Sequence, residues 1–415
     1  MNKVTDHLMD KNGEPIYGKL VNGKVEQTEI EAKKEKVLWK DLFRLGDQKG
    51  DCIIEELRRK LDQDKELKNL ILSSLEVARS RRFELSEQRR DYFNVSMFPN
   101  TIPKYLDFLT DYYHYIPDQS DEDWNVDNKT GVHKEVYLRI VHFHFLVDQN
   151  VTIDIEGKPT KANPQFDPWF RCWMVFFTHA WGEYLNSPES MDDDRMEHFK
   201  ELNRFFRVSD SLIKVKNIIK KTDLDGNPSL DFVEEEKSID PTGWVSFNQF
   251  FARKLKAGLR PISYIQNNYI PCKPADSTFR QWFPITSNGN VIDIEAAKDL
   301  AKKRLAIPRA KSLIIDNIDK LLGDEISPEI KQRFYGGVFS HWFLNTFSYH
   351  RFHSAVSGKV EYCRNVIGEV YLETQIVDGD FDAPDNTQGG YEFRQARGIL
   401  LINTDKQFTE KHGIQ

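Results

Sequence analysis

Apolar side chains recur at three and four along residues 53–221 of this chain and then, past about residue 240, come only in short runs broken by glycine. That change of period sets the fold class before any motif is considered. In IIEELRRKL (53–61) and LKNLILSSLEVARSRR (67–82) the spacing draws one apolar stripe along a helix. It returns in YLDFLTDYYHY, EVYLRIVHFHFLV, FDPWFRCWMVFFTHAWGEYL and MEHFKELNRFFRVSDSLIKVKNIIKK, so the spacing predicts an α-rich N-terminal region. Beyond it GNVIDI, GKVEYC, GEVYLET and GILLINT read as short strands, with IEAAKDLAKKRL as a helix between them. The fold class expected is α+β: a helical N-terminal region followed by a mixed, mainly antiparallel, β-rich core.

A chain of 415 residues is long enough for two or three domains, each with its own core. Residues 1–50 are polar and rich in Lys and Glu, and GKLVNGKVEQTEIEAKKEK reads as a loose arm or a small hairpin. The segment TDLDGNPSLDFVEEEKSIDPTG (222–243) carries the Asp-Gly, Asn-Pro and Asp-Pro signals of a linker. The expected division is a polar N-terminal arm (1–50), a helical domain (51–235) and a second domain (240–415). No internal repeat is visible.

With 39% hydrophobic and 30% charged residues and a net charge of -7, the composition is that of a globular protein with no general electrostatic attraction to nucleic acid. The longest apolar-leaning runs fall short of the roughly 20 residues that cross a bilayer, and the first 20 residues lack the apolar core of a secretory signal. A cytoplasmic chain is expected. Cys52, Cys172, Cys272 and Cys363 show no Cys-x-x-Cys spacing, which predicts reduced, structural thiols rather than disulfides or a zinc ribbon.

Four motifs invite a chemical reading, each beside a plainer one. His142 and His144 could ligate a metal from a strand, but the spacing of Val136, Ile140, Val141 and Phe145 favours a helix, on which they point apart and serve packing. Residues 243–262 read as an amphipathic helix with Ser246 as N-cap, Phe247, Phe250 and Phe251 as its apolar face, and Gly258 as its end. Its Arg253, Lys254 and Arg260 form either a solvated or an anion-facing edge. Asp276 follows Pro274-Ala275 in CKPADSTFRQW, where an aspartate is ordinarily turn chemistry.

The fourth motif is SYHRFH (348–353), where a helix would set His350 and His353 on one face. A metal pair of that type calls for a third ligand, and the fixed cation of Arg351 between the two opposes a dication, so no metal is expected. Proton transfer by a histidine oriented by a carboxylate is the better use of an imidazole that titrates near neutrality.

In order along the chain, SFNQFFARKLKAGLRPI, then PADS, then YGGVFSHWFLNTFSYHRFHSAVSGKVEYCRNVIGEVYLET resemble the phosphatidylserine decarboxylase family, with its FFxRxLxxGxRPI helix, PADG-like turn and YHRxHxPxxG segment. The likeness runs from 243 to about 402. PQFDPWFRCWMVFFTHAWGEYLNSPES, further upstream, looks like the extended branch of that family that includes fungal pyruvoyl-type tryptophan decarboxylases. The resemblance implies a β-rich decarboxylase core that cleaves itself. Asp276 and His353 would be the carboxylate and base of self-processing, and His350 would help at the substrate. A Gly-Ser serine would become a covalent pyruvoyl group, carried on a small C-terminal chain, that takes up the electrons released as CO2 leaves.

The substrate so implied is phosphatidylserine, converted to phosphatidylethanolamine, with peripheral membrane contact; a free aromatic amino acid is the alternative. Two positions depart from the family pattern: Ser348 stands where the family has Asp, as in the amino-acid branch, and Ala355 replaces the Pro after the second histidine. None of the 22 glycines precedes Ser or Thr. The pyruvoyl group is therefore not expected to form from this chain alone, the second domain is expected to be C-terminally incomplete, and a non-catalytic relative is the reading of another class.

Overall fold

The computed structural model describes residues 19–21, 24–26, 50–117, 135–155, 157–192, 195, 208–222, 228–240, 243–263, 270–293, 314–346, 348–366, 368–383 and 391–404. In the N-terminal arm, β1 (Lys19–Val21) and β2 (Lys24–Glu26) pair antiparallel, the hairpin form of the two expected there. The helical region follows as α1 (Gly50–Gln63), α2 (Lys65–Arg81), α3 (Glu87–Tyr92), α4 (Ile102–Tyr113), α5 (Glu135–Phe145) and α6 (Pro168–Asn186), with the hairpin β3 (Val151–Ile155) and β4 (Lys158–Ala162) between α5 and α6.

Local chemistry explains where these helices begin. Asp64 accepts from the Leu67 amide at 3.0 Å to start α2, and Asp167 accepts from the Phe170 amide at 2.8 Å to start α6, whose first residue is Pro168. Each cap satisfies a backbone donor that the helix itself leaves open. The predicted stripes then meet in one core: Ile53, Leu57 and Leu61 of α1, Ile71 and Leu75 of α2, Leu109 of α4, Val141 and Phe145 of α5, and Phe170, Trp173 and Phe177 of α6 are all buried. Trp173 Nε1 donates to the Ile53 carbonyl at 2.8 Å, so the bulkiest side chain is buried with its one donor satisfied. His142 and His144 sit on α5, both buried, in agreement with the packing reading.

The helical expectation fails at its last segment. Residues 196–207 lie outside the described residues, and LIKVKNIIKK is not helical but strand β5 (Leu212–Thr222), paired antiparallel along its whole length with β6 (Pro228–Ser238). The second strand occupies what reads as a linker. Isoleucine and valine favour the pleated conformation, and the register sets Lys216 opposite Glu234, a favourable cross-strand charge pair. The turn signals at 223–227 thus fall between two paired strands.

Helix α7 (Phe247–Phe251) begins as predicted, with the Ser246 hydroxyl accepting from the Gln249 amide, but stops well before Gly258. Its end is fixed from outside: the Ala252 carbonyl accepts from Arg351, and the Lys254 amide donates to the Asp240 carboxylate at 3.1 Å. Beyond it come β7 (Thr278–Pro284), β8 (Asn290–Ile292), β9 (Ile314–Asn317), α8 (Ile318–Leu322), α9 (Pro328–Gln332), β10 (Val338–Phe343), β11 (Lys359–Val366), β12 (Gln375–Val377), β13 (Asp380–Asp382), α10 (Tyr391–Arg394) and β14 (Arg397–Asn403). The strands pair antiparallel as β7 with β10, β8 with β9, β11 with β14 and β12 with β13, the arrangement expected for this half. IEAAKDLAKKRL falls outside the described residues.

GEVYLET is the strand that does not form. Residues 370–374 run irregularly because side chains of the helical region take their backbone groups: Gln165 Oε1 accepts from the Leu372 amide at 3.2 Å, Gln165 Nε2 donates to the Leu372 carbonyl at 3.1 Å, and Asp148 accepts from the Thr374 amide at 2.7 Å. The β12–β13 hairpin then enters the helical core, with Phe381 among its buried rings. Among the described residues no helix is long and apolar enough to cross a membrane.

Candidate active site

Three separate stretches meet around SYHRFH. The segment itself is not a helix: residues 349–354 have no regular secondary structure, so the shared helix face does not exist and other contacts place the two histidines. Backbone bonds lay this segment beside the PADS turn, with the His353 amide donating to the Pro274 carbonyl and the Cys272 amide to the Ala355 carbonyl, at 2.8 and 2.9 Å. Arg351 ties it to α7, its Nε donating to the Ala252 carbonyl at 2.8 Å. The residue that argues against a metal between the histidines thus also serves as a clamp.

The His353 ring is half-buried, and its Nδ1 lies 2.9 Å from the Ser354 carbonyl. A carbonyl can only accept, so Nδ1 donates to it, and in the neutral form of the ring the lone pair lies on Nε2. Asp276, which the sequence suggests as the orienting carboxylate, faces elsewhere: its Oδ2 pairs with Arg260 Nε at 2.8 Å. The structure brings Asp276 and His353 into one neighbourhood through the backbone of the turn, while their side chains bond to different partners.

His350 stacks on Phe251, ring centroids 3.9 Å apart, and its Nε2 donates to the Asn345 carbonyl at 2.9 Å. Burial holds its pKa below the usual imidazole value and the nearby charge of Arg253 adds to this, while the carbonyls of Asn345 and Thr346 oppose it. Arg253 is not part of a solvated edge. It is fully buried, lies over the Phe250 ring, and burial pulls its guanidinium down to about 10. Arg260, in its ion pair, likewise differs from the solvated reading, whereas Lys254 is exposed and 3.8 Å from Asp240.

Two features escape a reading of the sequence. Arg253 looks like any cation at the end of an amphipathic helix; its burial follows from α7 stopping early. His341 lies within the aromatic run FSHWF on β10, where the alternation of exposed Ser340 and Trp342 turns it inward. There its Nε2 meets the Tyr391 hydroxyl at 2.8 Å and its Nδ1 lies 3.4 Å from Glu392. Period-two alternation was the available signal, and the aromatic composition hid it. Among the described residues no three His, Cys, Asp or Glu side chains converge as metal ligands do.

The assembled group holds an imidazole whose Nδ1 meets a backbone carbonyl, a second imidazole against a phenyl ring and within reach of a buried guanidinium's charge, and an ion-paired carboxylate. That set suits proton transfer next to an anionic group. Comparison with known proteins bears on which reaction is meant. Residues 247–410 match the family model described as phosphatidylserine decarboxylase. The phosphatidylserine decarboxylase proenzyme of Vibrio vulnificus (strain YJ016) is 30% identical over 139 residues, 34% of this chain and 41% of the relative. That of Shewanella sp. (strain W3-18-1) is 31% identical over 139 residues, 34% of this chain and 40% of the relative. The matched stretch spans about two fifths of the length of these curated relatives. The family-model match covers the α7 segment, the Asp276 turn and the histidine segment together, so residues 247–410 of this chain are similar to the phosphatidylserine decarboxylase family.

Proposed function

We propose that residues 247–410 form the base-bearing part of a pyruvoyl-dependent carboxy-lyase that acts on phosphatidylserine. The observation that carries this reading is His353, set against the Asp276 turn with Nδ1 on the Ser354 carbonyl and Nε2 as acceptor. In this reading Nε2 takes the proton from an incoming serine hydroxyl and later the α-proton that must leave before the ester opens. Asp276 holds Arg260 and the turn in place, and His350 with Arg253 receives the substrate carboxylate. A pyruvoyl group, when present, supplies the electron sink for decarboxylation. The residues described here fit its acid–base needs, but no Gly-Ser or Gly-Thr pair occurs among the 415 residues, so the serine would come from a separate segment.

A lipid substrate is favoured over a free amino acid by the exposed rings of the family-matched region. Phe352, between His350 and His353 in sequence, is 88% exposed, and Trp282, Trp342 and Phe279 are exposed on the β7–β10 pair. Large exposed rings suit the interface of a bilayer.

The test joins this chain in cis to a C-terminal segment that bears a Gly-Ser pair. The expected result is a small fragment with a blocked N-terminus and CO2 release from phosphatidylserine vesicles but not from tryptophan. His353→Ala and Asp276→Asn should stop cleavage, while His350→Ala should leave most of the cleavage and impair turnover. Cleavage of the His353→Ala fusion at the wild-type rate would overturn the proposed base, release of CO2 from tryptophan alone would move the substrate to the amino-acid class, and a fusion that never cleaves would favour a non-catalytic relative.

A further inference from the structure

His350 lies in a segment without regular secondary structure, yet its ring occupies one defined place. Its own backbone supplies little of that definition. The Arg351 amide donates to the Tyr349 carbonyl at 3.0 Å, which closes a three-residue turn centred on His350. A turn held by one hydrogen bond does not aim a side chain, so the aim comes from neighbouring chain.

Two consecutive residues here meet two consecutive residues at the end of α7. The His350 ring lies on the Phe251 ring, and Arg351 donates to the Ala252 carbonyl through Nε at 2.8 Å and also through Nη2. The ring contact tolerates sliding. The forked, charge-assisted bond does not, and it satisfies a carbonyl that the helix end leaves open. Arg351 is exposed, so this bond buries no charge. On the other side Arg253, buried over the Phe250 ring, reaches His350 with its charge.

We propose that Arg351 is a positioning residue: its grip on the Ala252 carbonyl keeps the His350 ring on Phe251 and within the field of Arg253, where imidazole and guanidinium together can meet a substrate carboxylate. The carboxylate role rests on the decarboxylase reading above. The placement of the ring does not.

Two variants of similar length separate the hydrogen bond from the charge. In Arg351→Gln the amide nitrogen stands as many bonds from the backbone as Nε and can still donate to Ala252, whereas Arg351→Met has no donor; both lose the charge. The full chain, labelled with 13C at histidine Cε1, is titrated by NMR, and the His350 signal is identified by its loss in His350→Gln. In the wild-type chain the His350 midpoint should lie below the ordinary imidazole value of about 6.5, with its Cε1 proton shifted upfield by the Phe251 ring. In Arg351→Met the midpoint should rise toward that value and the upfield shift should fade. Arg351→Gln should stay nearer the wild type in both. His353, bonded to Ser354 rather than to α7, should read alike in the two variants. Equal His350 midpoints and shifts in the Gln and Met variants, or a wild-type midpoint at or above about 6.5, would sink the proposal. The wild-type measurement needs no variant, so an Arg351→Met chain that fails to fold leaves the test intact. None of these signals requires cleavage or a pyruvoyl group, so a failure of the decarboxylase reading and a failure of this inference are told apart.

Discussion

His142 and His144 show how one residue can carry both stability and a functional expectation. Burial lowers the pKa of His142 to about 3, with the charge of Arg139 adding to it, and that of His144 to about 4 against a bond from Gln165. In the unfolded chain both titrate near 6.5. Between those values the unfolded state binds more protons than the folded one, so stability must fall as pH drops below about 6.5, by up to about 1.4 kcal/mol per pH unit for each ring. Urea unfolding from pH 7 to pH 4 should show this loss, and His142→Phe should make the slope shallower by up to one proton; an unchanged slope would mean that the ring is charged in the folded chain. The spacing around these residues was enough to place them on a buried helix. What it lacked was the cavity beside His142, because Phe98, Phe108 and Arg139 come from three elements whose meeting depends on the whole helical packing.

At the scale of elements, the turn Asp378-Gly379 between β12 and β13 is the sharpest local constraint. Both residues have positive φ, 52° and 78°, as a two-residue hairpin turn requires. Gly379 also offers its carbonyl to the Ser86 amide at the start of α3, and a Cβ built on it would lie 2.9 Å from that same nitrogen. Gly379→Ala should therefore cost about 1–3 kcal/mol, more than the strain of positive φ alone, read as a drop in the denaturation midpoint; a change within about 0.5 kcal/mol would show that α3 shifts freely. Element identity was legible wherever local period and tertiary context agree, as in α1, α2, α4, α5 and α6 and in β8, β11 and β14. It failed where distant groups decide: LIKVKNIIKK is apolar enough for either state until β6 pairs with it, GEVYLET yields its backbone to Gln165 and Asp148, and SYHRFH is held open by Pro274 and Ala252. Of the candidate site, the ordered motifs named residues whose segments the fold lays side by side, but their partners were not legible, since Ser354 rather than Asp276 meets His353.

For the molecule as a whole, the helical region and the family-matched region share structure rather than merely adjoin. Arg89 on α3 binds Asp380 through two nitrogens at 3.0 and 3.1 Å, Arg171 on α6 binds Glu369 at 2.8 Å, and Tyr137 on α5 donates to Asp382 while accepting from the Ala383 amide. At the centre Phe381, 3% exposed, packs against Phe93 edge to face with centroids 4.9 Å apart and against Phe145 at 5.1 Å. A ring so placed cannot be removed without a cavity, and Phe381→Ala should cost about 3–5 kcal/mol. Because the lost contacts belong to the helical core although the residue belongs to the C-terminal region, the variant should lower the midpoint followed by helical circular dichroism and by hydrogen exchange in β11 and β14 together. Two separate midpoints in the wild-type chain, with only one moved by Phe381→Ala, would show instead that the hairpin is a passenger in the helical core and that the family-matched region stands independently of it.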